Sequence, residues 1–165
     1  MKKETYIKMT QPFRDNTKRT ESVHRISRIL TGTVFFSYPI LVIGLYLLKD
    51  PRVYRAVLVP AISFLLVTAF RYFVNRKRPY EVFELEPVIP KDTKGKSMPS
   101  RHTFSACIIG LTFLFCSPWW GIGIFLLIIS FAIGILRIIC GIHYISDVVI
   151  AVVVATVVAY IGYIR

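Results

Sequence analysis

Several things are scarce in this 165-residue chain. Acidic residues number 9 against 21 Lys and Arg, which leaves a formal charge of +12. Such an imbalance suits membrane headgroups, orientation in a bilayer, or an anionic substrate. Nucleic acid fits poorly, because the basic residues are not strung along one soluble module. Cysteine occurs only at Cys107, Cys116 and Cys140, always inside apolar runs and never as CxxC. That argues against a disulfide framework or a cysteine metal site and leaves small buried hydrophobes. HExxH is missing, and no repeat or low-complexity tract stands out. The polar opening from Met1 to Arg28 leads into an apolar run with no small-residue cleavage site behind it, so it does not read as a secretory signal.

What is plentiful is apolar residue. They make up 55% of the chain, more than a water-soluble domain of this size can bury. Five stretches have roughly the length needed to cross a bilayer: Ile29 to Leu48, Val53 to Val74, Thr103 to Trp119, Trp120 to Cys140 and Ile145 to Ile164. Pro39 and Pro60 fall inside two of them, which membrane helices tolerate. Trp119 and Trp120 mark an interfacial turn. The expected fold is all-α, a multi-pass transmembrane bundle of about five helices. Residues 1–28 read as a basic N-terminal arm, flexible to about residue 20, then an interfacial helix; residues 29–165 read as the membrane domain. His24 falls in that interfacial helix as an exposed residue. One long loop, residues 75–100, carries most of the charge and proline.

Threading the crossings back and forth brings three separated segments to one membrane face: "RYFVNRKRPY", "PSRHTFS" and "RIICGIHYISD". Ionisable groups at a membrane boundary are costly unless they are paired or line a wet cavity. Arg71 and Arg137 taken singly suit snorkelling to the headgroups. Together with Arg78 and Arg101 they suit a phosphate, whose oxygens match the guanidinium fork. Ser100 is placed to cap a helix starting near Arg101, where free N–H groups favour an anion. His143 and Asp147 are spaced i, i+4, so the carboxylate can fix the imidazole tautomer, either for structure or for catalysis. His102 offers a second acid-base group. A metal held by His102, His143 and Asp147 is the less favoured alternative, since no tight ligand motif supports it.

These residues resemble the signature motifs of the type 2 phosphatidic acid phosphatases, the membrane lipid phosphatases related to vanadium haloperoxidases. Arg71-x6-Arg78-Pro79, "PSRH" from Pro99 to His102, and Arg137-x5-His143-x3-Asp147 match K-x6-RP, PSGH and SR-x5-H-x3-D in order and internal spacing. Three departures stand out: Arg71 replaces lysine, Arg101 replaces glycine, and Leu136 replaces the serine before the third-motif arginine. The resemblance implies that His143 is the nucleophile forming a phosphohistidine and that Asp147 orients it. His102 would serve the leaving group and then water. Arg71, Arg78, Ser100, Arg137 and the backbone N–H of Arg101 would hold the phosphoryl oxygens, with no metal or other cofactor.

Expected substrates are lipid phosphate monoesters or diphosphates, such as undecaprenyl diphosphate, phosphatidylglycerol phosphate or phosphatidic acid. A phosphatase of soluble esters and a non-catalytic lipid-phosphate binder are the alternatives. Arg101 in place of the glycine either narrows the pocket or adds a contact to a second phosphate. The expected location is the cell membrane. The resemblance favours an extracytoplasmic site, whereas the basic N-terminal residues favour the cytoplasmic face.

Overall fold

Asn16 decides where the long helices begin. Its backbone is extended and its side-chain oxygen takes the Arg19 N–H at 3.1 Å, an N-cap that starts a helix at Thr17. The computed structural model describes residues 3–165. Met1 and Lys2, both counted in the basic arm, lie outside the described residues.

Among the described residues seven α-helices follow one another: α1 (Lys3–Arg14), α2 (Thr17–Leu47), α3 (Arg52–Val74), α4 (Pro79–Phe83), α5 (Arg101–Cys116), α6 (Trp120–Ile139) and α7 (Ile145–Ala159). A π-helical turn, Tyr160–Ile164, ends the chain's last helix. The fold is an all-helical, multi-pass transmembrane bundle. Four of its segments are long and apolar enough to cross a membrane, beginning at Thr17, Arg52, Trp120 and Ile145. The fifth expected crossing is α5, only 16 residues long. At 1.5 Å per residue it spans about 24 Å, less than the hydrocarbon core. It has no need to meet lipid along its length, because the other helices surround it and twelve of its residues are buried.

Helix packing follows from small residues. Asp147, Ala151, Ala155 and Ala159 form an i+4 stripe along α7, buried within the bundle. On α6, a β-carbon at Gly123 would run into the Leu114 backbone of α5, so glycine permits that close approach. Lipid-facing positions are large and apolar, Phe36 and Phe73 among them.

Two expectations about the N-terminal region change. The interfacial helix and first crossing are one 31-residue helix, because Asn16 caps it well before the apolar run starts. The segment read as a flexible arm contains α1, whose Tyr6 and Thr10 are fully buried. Four-residue spacing puts them on one helical face, and the Tyr6 ring packs on Phe83 at 5.3 Å between centroids.

The end of α3, the start of α5, the end of α6 and the start of α7 lie at one end of the bundle. The loop between α3 and α5 covers that end. Glu81 ties its two limbs together, accepting from Arg78 N at 2.9 Å and Gly95 N at 2.7 Å.

Candidate active site

Arg71 and Arg78 reach the site from the last turns of α3 and the start of α4. The Arg71 guanidinium donates to the carbonyls of Ser97, at 3.2 Å, and Pro99. Arg78 Nε donates to the Gly95 carbonyl at 3.0 Å. Both arginines are buried and wrap the loop around themselves. Among the described residues neither has a carboxylate partner within salt-bridge distance.

The first turn of α7 and the bend before it hold the His–Asp pair. Asp147 is fully buried and collects four donors or ring contacts. Its Oδ2 accepts from Tyr144 N at 3.0 Å and from Ser97 Oγ, and lies 3.4 Å from His143 Nδ1. Its Oδ1 accepts from Arg76 Nη1 at 2.8 Å. With Nδ1–H turned to the carboxylate, His143 keeps a lone pair on Nε2. Burial pushes the His143 pKa down to about 4, against the opposing pull of Asp147, so the ring is neutral near pH 7.

A cavity of about 200 Å³ opens beside this pair. Arg71, Arg78, Arg101, His102 and His143 line it, together with Lys91 and Lys96. Five cations and two imidazoles thus border one small space with no carboxylate in its wall. Segments separated by some seventy residues in sequence meet here, as the threading of the crossings implied. Among the described residues, no group of three His, Cys, Asp or Glu side chains comes together to hold a metal ion.

Three expected site residues stand elsewhere. Asp147 lies behind His143 rather than in the wall. Ser100 is fully buried; its hydroxyl pairs with Thr103 Oγ1 at 3.0 Å and caps no backbone N–H. Its backbone N–H instead donates to the Asp147 carbonyl at 2.9 Å, which locks α5 to α7. Arg137 borders a neighbouring recess between α2 and α6. Its carbonyl accepts the N–H groups of Ile142 at 3.1 Å and His143 at 3.2 Å, and so shapes the bend carrying His143.

Four residues escaped the sequence reading. Arg76 grips Asp147 and Ser146 while its guanidinium lies 4.2 Å over the Tyr144 ring. Ser97 bridges the loop to Asp147. Lys91 enters the cavity wall, and its pKa drops to about 8, first through burial and then through repulsion by Arg78, Arg137, Arg71 and Arg101. Tyr6 of α1 lies against Gly141, two residues before His143. Gly141 has φ +70°, and a β-carbon there would strike the Tyr6 ring. Gly141 is the sequence signal that could have marked a tight bend; nothing in the sequence points to what braces it.

A membrane-spanning helical bundle with a cationic, carboxylate-free cavity over a buried His–Asp pair describes a class able to hold a phosphoryl group. The chain belongs to the PAP2 superfamily, whose family model matches residues 52–165. No curated protein sequence matches the chain. Among solved structures, Aquifex aeolicus LpxE is similar at a TM-score of 0.74 and 22% identity, covering 98% of this chain and 94% of that one. The first transmembrane PAP2-type phosphatidylglycerolphosphate phosphatase from Bacillus subtilis is similar at a TM-score of 0.68 and 17% identity, covering 96% and 83%. At these identities the likeness is one of fold.

Proposed function

We propose that the protein is an integral membrane phosphatase that hydrolyses lipid phosphate monoesters or diphosphates through a phosphohistidine at His143. One observation carries this reading: cationic side chains from α3, α5 and the loop border a cavity that also holds a neutral imidazole backed by Asp147. Nothing in the wall repels a dianion.

In the first step His143 Nε2 attacks phosphorus. The N–P bond forms as the bond to the lipid oxygen breaks, and His102 gives that oxygen its proton. A bound phosphate favours the protonated form of His102 for this role. In the second step His102 takes a proton from water, the water oxygen attacks phosphorus, and the P–N electron pair returns to Nε2. Arg71, Arg78, Arg101 and Lys91 stabilise the charge on the transferring group, and Arg137 and Ser100 hold the frame around it. The lipid-facing sides of α2 and α3 suit a substrate whose tail stays in the bilayer. Undecaprenyl diphosphate, phosphatidylglycerol phosphate and phosphatidic acid all present the required group, and the cell membrane is the proposed location, with the site on its outer face.

The test is phosphate release from a panel of these lipids, with a short water-soluble ester alongside. Release from lipids that depends on both His143 and His102 is the expected result. Equal turnover of the soluble ester would make lipid selectivity wrong, and retained activity in His143→Ala would overturn the mechanism.

A further inference from the structure

The cavity at His143 continues into the membrane along two helices. On α3, Thr68 and Arg71 line the cavity, while Phe64 and Pro60, one and two turns beyond Thr68, line a second space of about 330 Å³. On α5, Arg101 and His102 border the cavity, and Ser105 and Ile109 carry the Arg101 face on into that second space. Phe35 and Tyr38 of α2 close it. The Arg101 guanidinium stands 5.8 Å over the Phe64 ring, where the two spaces meet. Phe35 and Phe64 are exposed, so this groove opens sideways to the bilayer.

Two hydroxyls interrupt its apolar lining. Pro60 has no N–H for the Ala56 carbonyl, and the Tyr38 hydroxyl supplies the missing donor at 2.9 Å. The Ser105 hydroxyl is left bare. That residue is only 4% exposed, and its Oγ has no partner among the described residues. Ser22, Ser37 and Ser63 each turn the hydroxyl onto a carbonyl three or four residues earlier, at 2.8 to 3.1 Å. A buried donor without an acceptor is costly, so Ser105 calls for one from outside the chain. Whatever brings that acceptor reaches it through a lipid-facing groove continuous with the phosphate cavity.

The helical rise from Arg101 to Ser105 is about 6 Å. In an acylglycerol phosphate the first ester carbonyl stands a few bonds from phosphorus, a comparable span. A polyprenyl chain carries no oxygen beyond its phosphate. On the phosphatase reading above, we infer that the groove holds the acyl chain of an acylglycerol phosphate, with the Ser105 hydroxyl donating to the ester carbonyl. Ser105 thereby determines specificity, favouring glycerolipid phosphates over polyprenyl phosphates.

The test sets an ester against an ether. Phosphate release is measured in detergent micelles from dioleoyl phosphatidic acid, from its dialkyl ether analogue, which lacks the carbonyls, and from a polyprenyl phosphate. The wild type is expected to favour the ester over the ether by about fivefold in kcat/KM, and Ser105→Ala to bring that ratio near one. A purely structural role for Ser105 would slow both lipids alike and keep the ratio. Equal use of ester and ether by the wild type, an unchanged ratio in Ser105→Ala that melts as the wild type does, or polyprenyl phosphate turned over as fast as the ester overturns the proposal. If Ser105→Ala does not fold, the wild-type ratios decide. If no lipid phosphate is hydrolysed, the phosphatase reading fails; retention of ester and ether lipid, counted by native mass spectrometry, then decides for Ser105, and equal retention overturns it.

Discussion

The two ends of α3 treat arginine in opposite ways. At its start Arg52 forks onto the Asp50 carboxylate, with contacts of 3.0, 3.0 and 2.6 Å, in an exposed turn. Near its far end, about 28 Å away by helical rise, Arg71 is buried, its hydrogen bonds made to backbone carbonyls. The first arrangement is complete within the chain; an exposed pair of this kind contributes little beyond holding a turn. The second is incomplete. Arg71, Arg78, Arg101 and Lys91 crowd one cavity, while the nearby carboxylates are already engaged, Asp147 by Arg76, Ser97 and His143 and Glu81 by the backbone N–H groups of Arg78 and Gly95. Cations left so close together are stabilised by an anion from outside, and His143 lies beside them.

The sharpest way to break this contrast is to remove the reacting group. His143→Ala is expected to lower lipid phosphate turnover by at least about 10³-fold without changing the melting temperature by more than a few degrees. Next comes the arginine comparison itself. Arg78→Ala is expected to lower kcat/KM by about 10²-fold or more, whereas Arg52→Ala stays within about twofold. Similar losses in both variants would erase the distinction between the two ends. The brace under the bend gives a third, smaller effect. Tyr6→Phe keeps the ring, whose hydroxyl has no partner among the described residues, and is expected to leave turnover unchanged. Tyr6→Ala is expected to lower kcat and the melting temperature together, with a loss of stability of about 3 kcal/mol as for an aromatic cavity.

Two pH effects are smaller again. In the empty site Lys91 loses its proton near pH 8. Competitive inhibition by inorganic phosphate is therefore expected to weaken by about tenfold as pH rises through that value. Lys91→Arg abolishes this limb, because arginine keeps its charge. For His143 the sign runs toward acid. The folded protein takes that proton only near pH 4, whereas an exposed imidazole takes it near 6.5. The folded state binds fewer protons between those values, so stability falls as pH drops from 6.5 to 4. Melting curves across that window should show the decline, and His143→Gln should flatten it.

Much of this was legible in the sequence because the evidence there is local. Arg71, Arg78, His102, His143 and Asp147 declare themselves through fixed spacings at the ends of apolar runs, and back-and-forth threading then puts them at one end. The start of α2 was not legible from hydropathy, since the Asn16 cap precedes the apolar stretch by more than ten residues. The parts played by Arg76, Lys91 and Ser97 depend on how the loop folds over the bundle, and loop folding leaves no periodic trace. Ser100 is a milder case. Its position before α5 was correct, but burial beside Thr103 gave its hydroxyl a different partner. The site's membrane face is set by topology; reporter fusions after Lys49 and after Lys91 should report opposite sides, with Lys91 outside.

One measurement bears most directly on the proposed chemistry: rapid quenching of turnover with labelled lipid phosphate, followed by peptide mapping under alkaline conditions. The expected result is an acid-labile phosphate on His143 in the wild type that is absent from His143→Ala. Phosphate release with no label ever reaching His143, or label on another residue, would contradict the account.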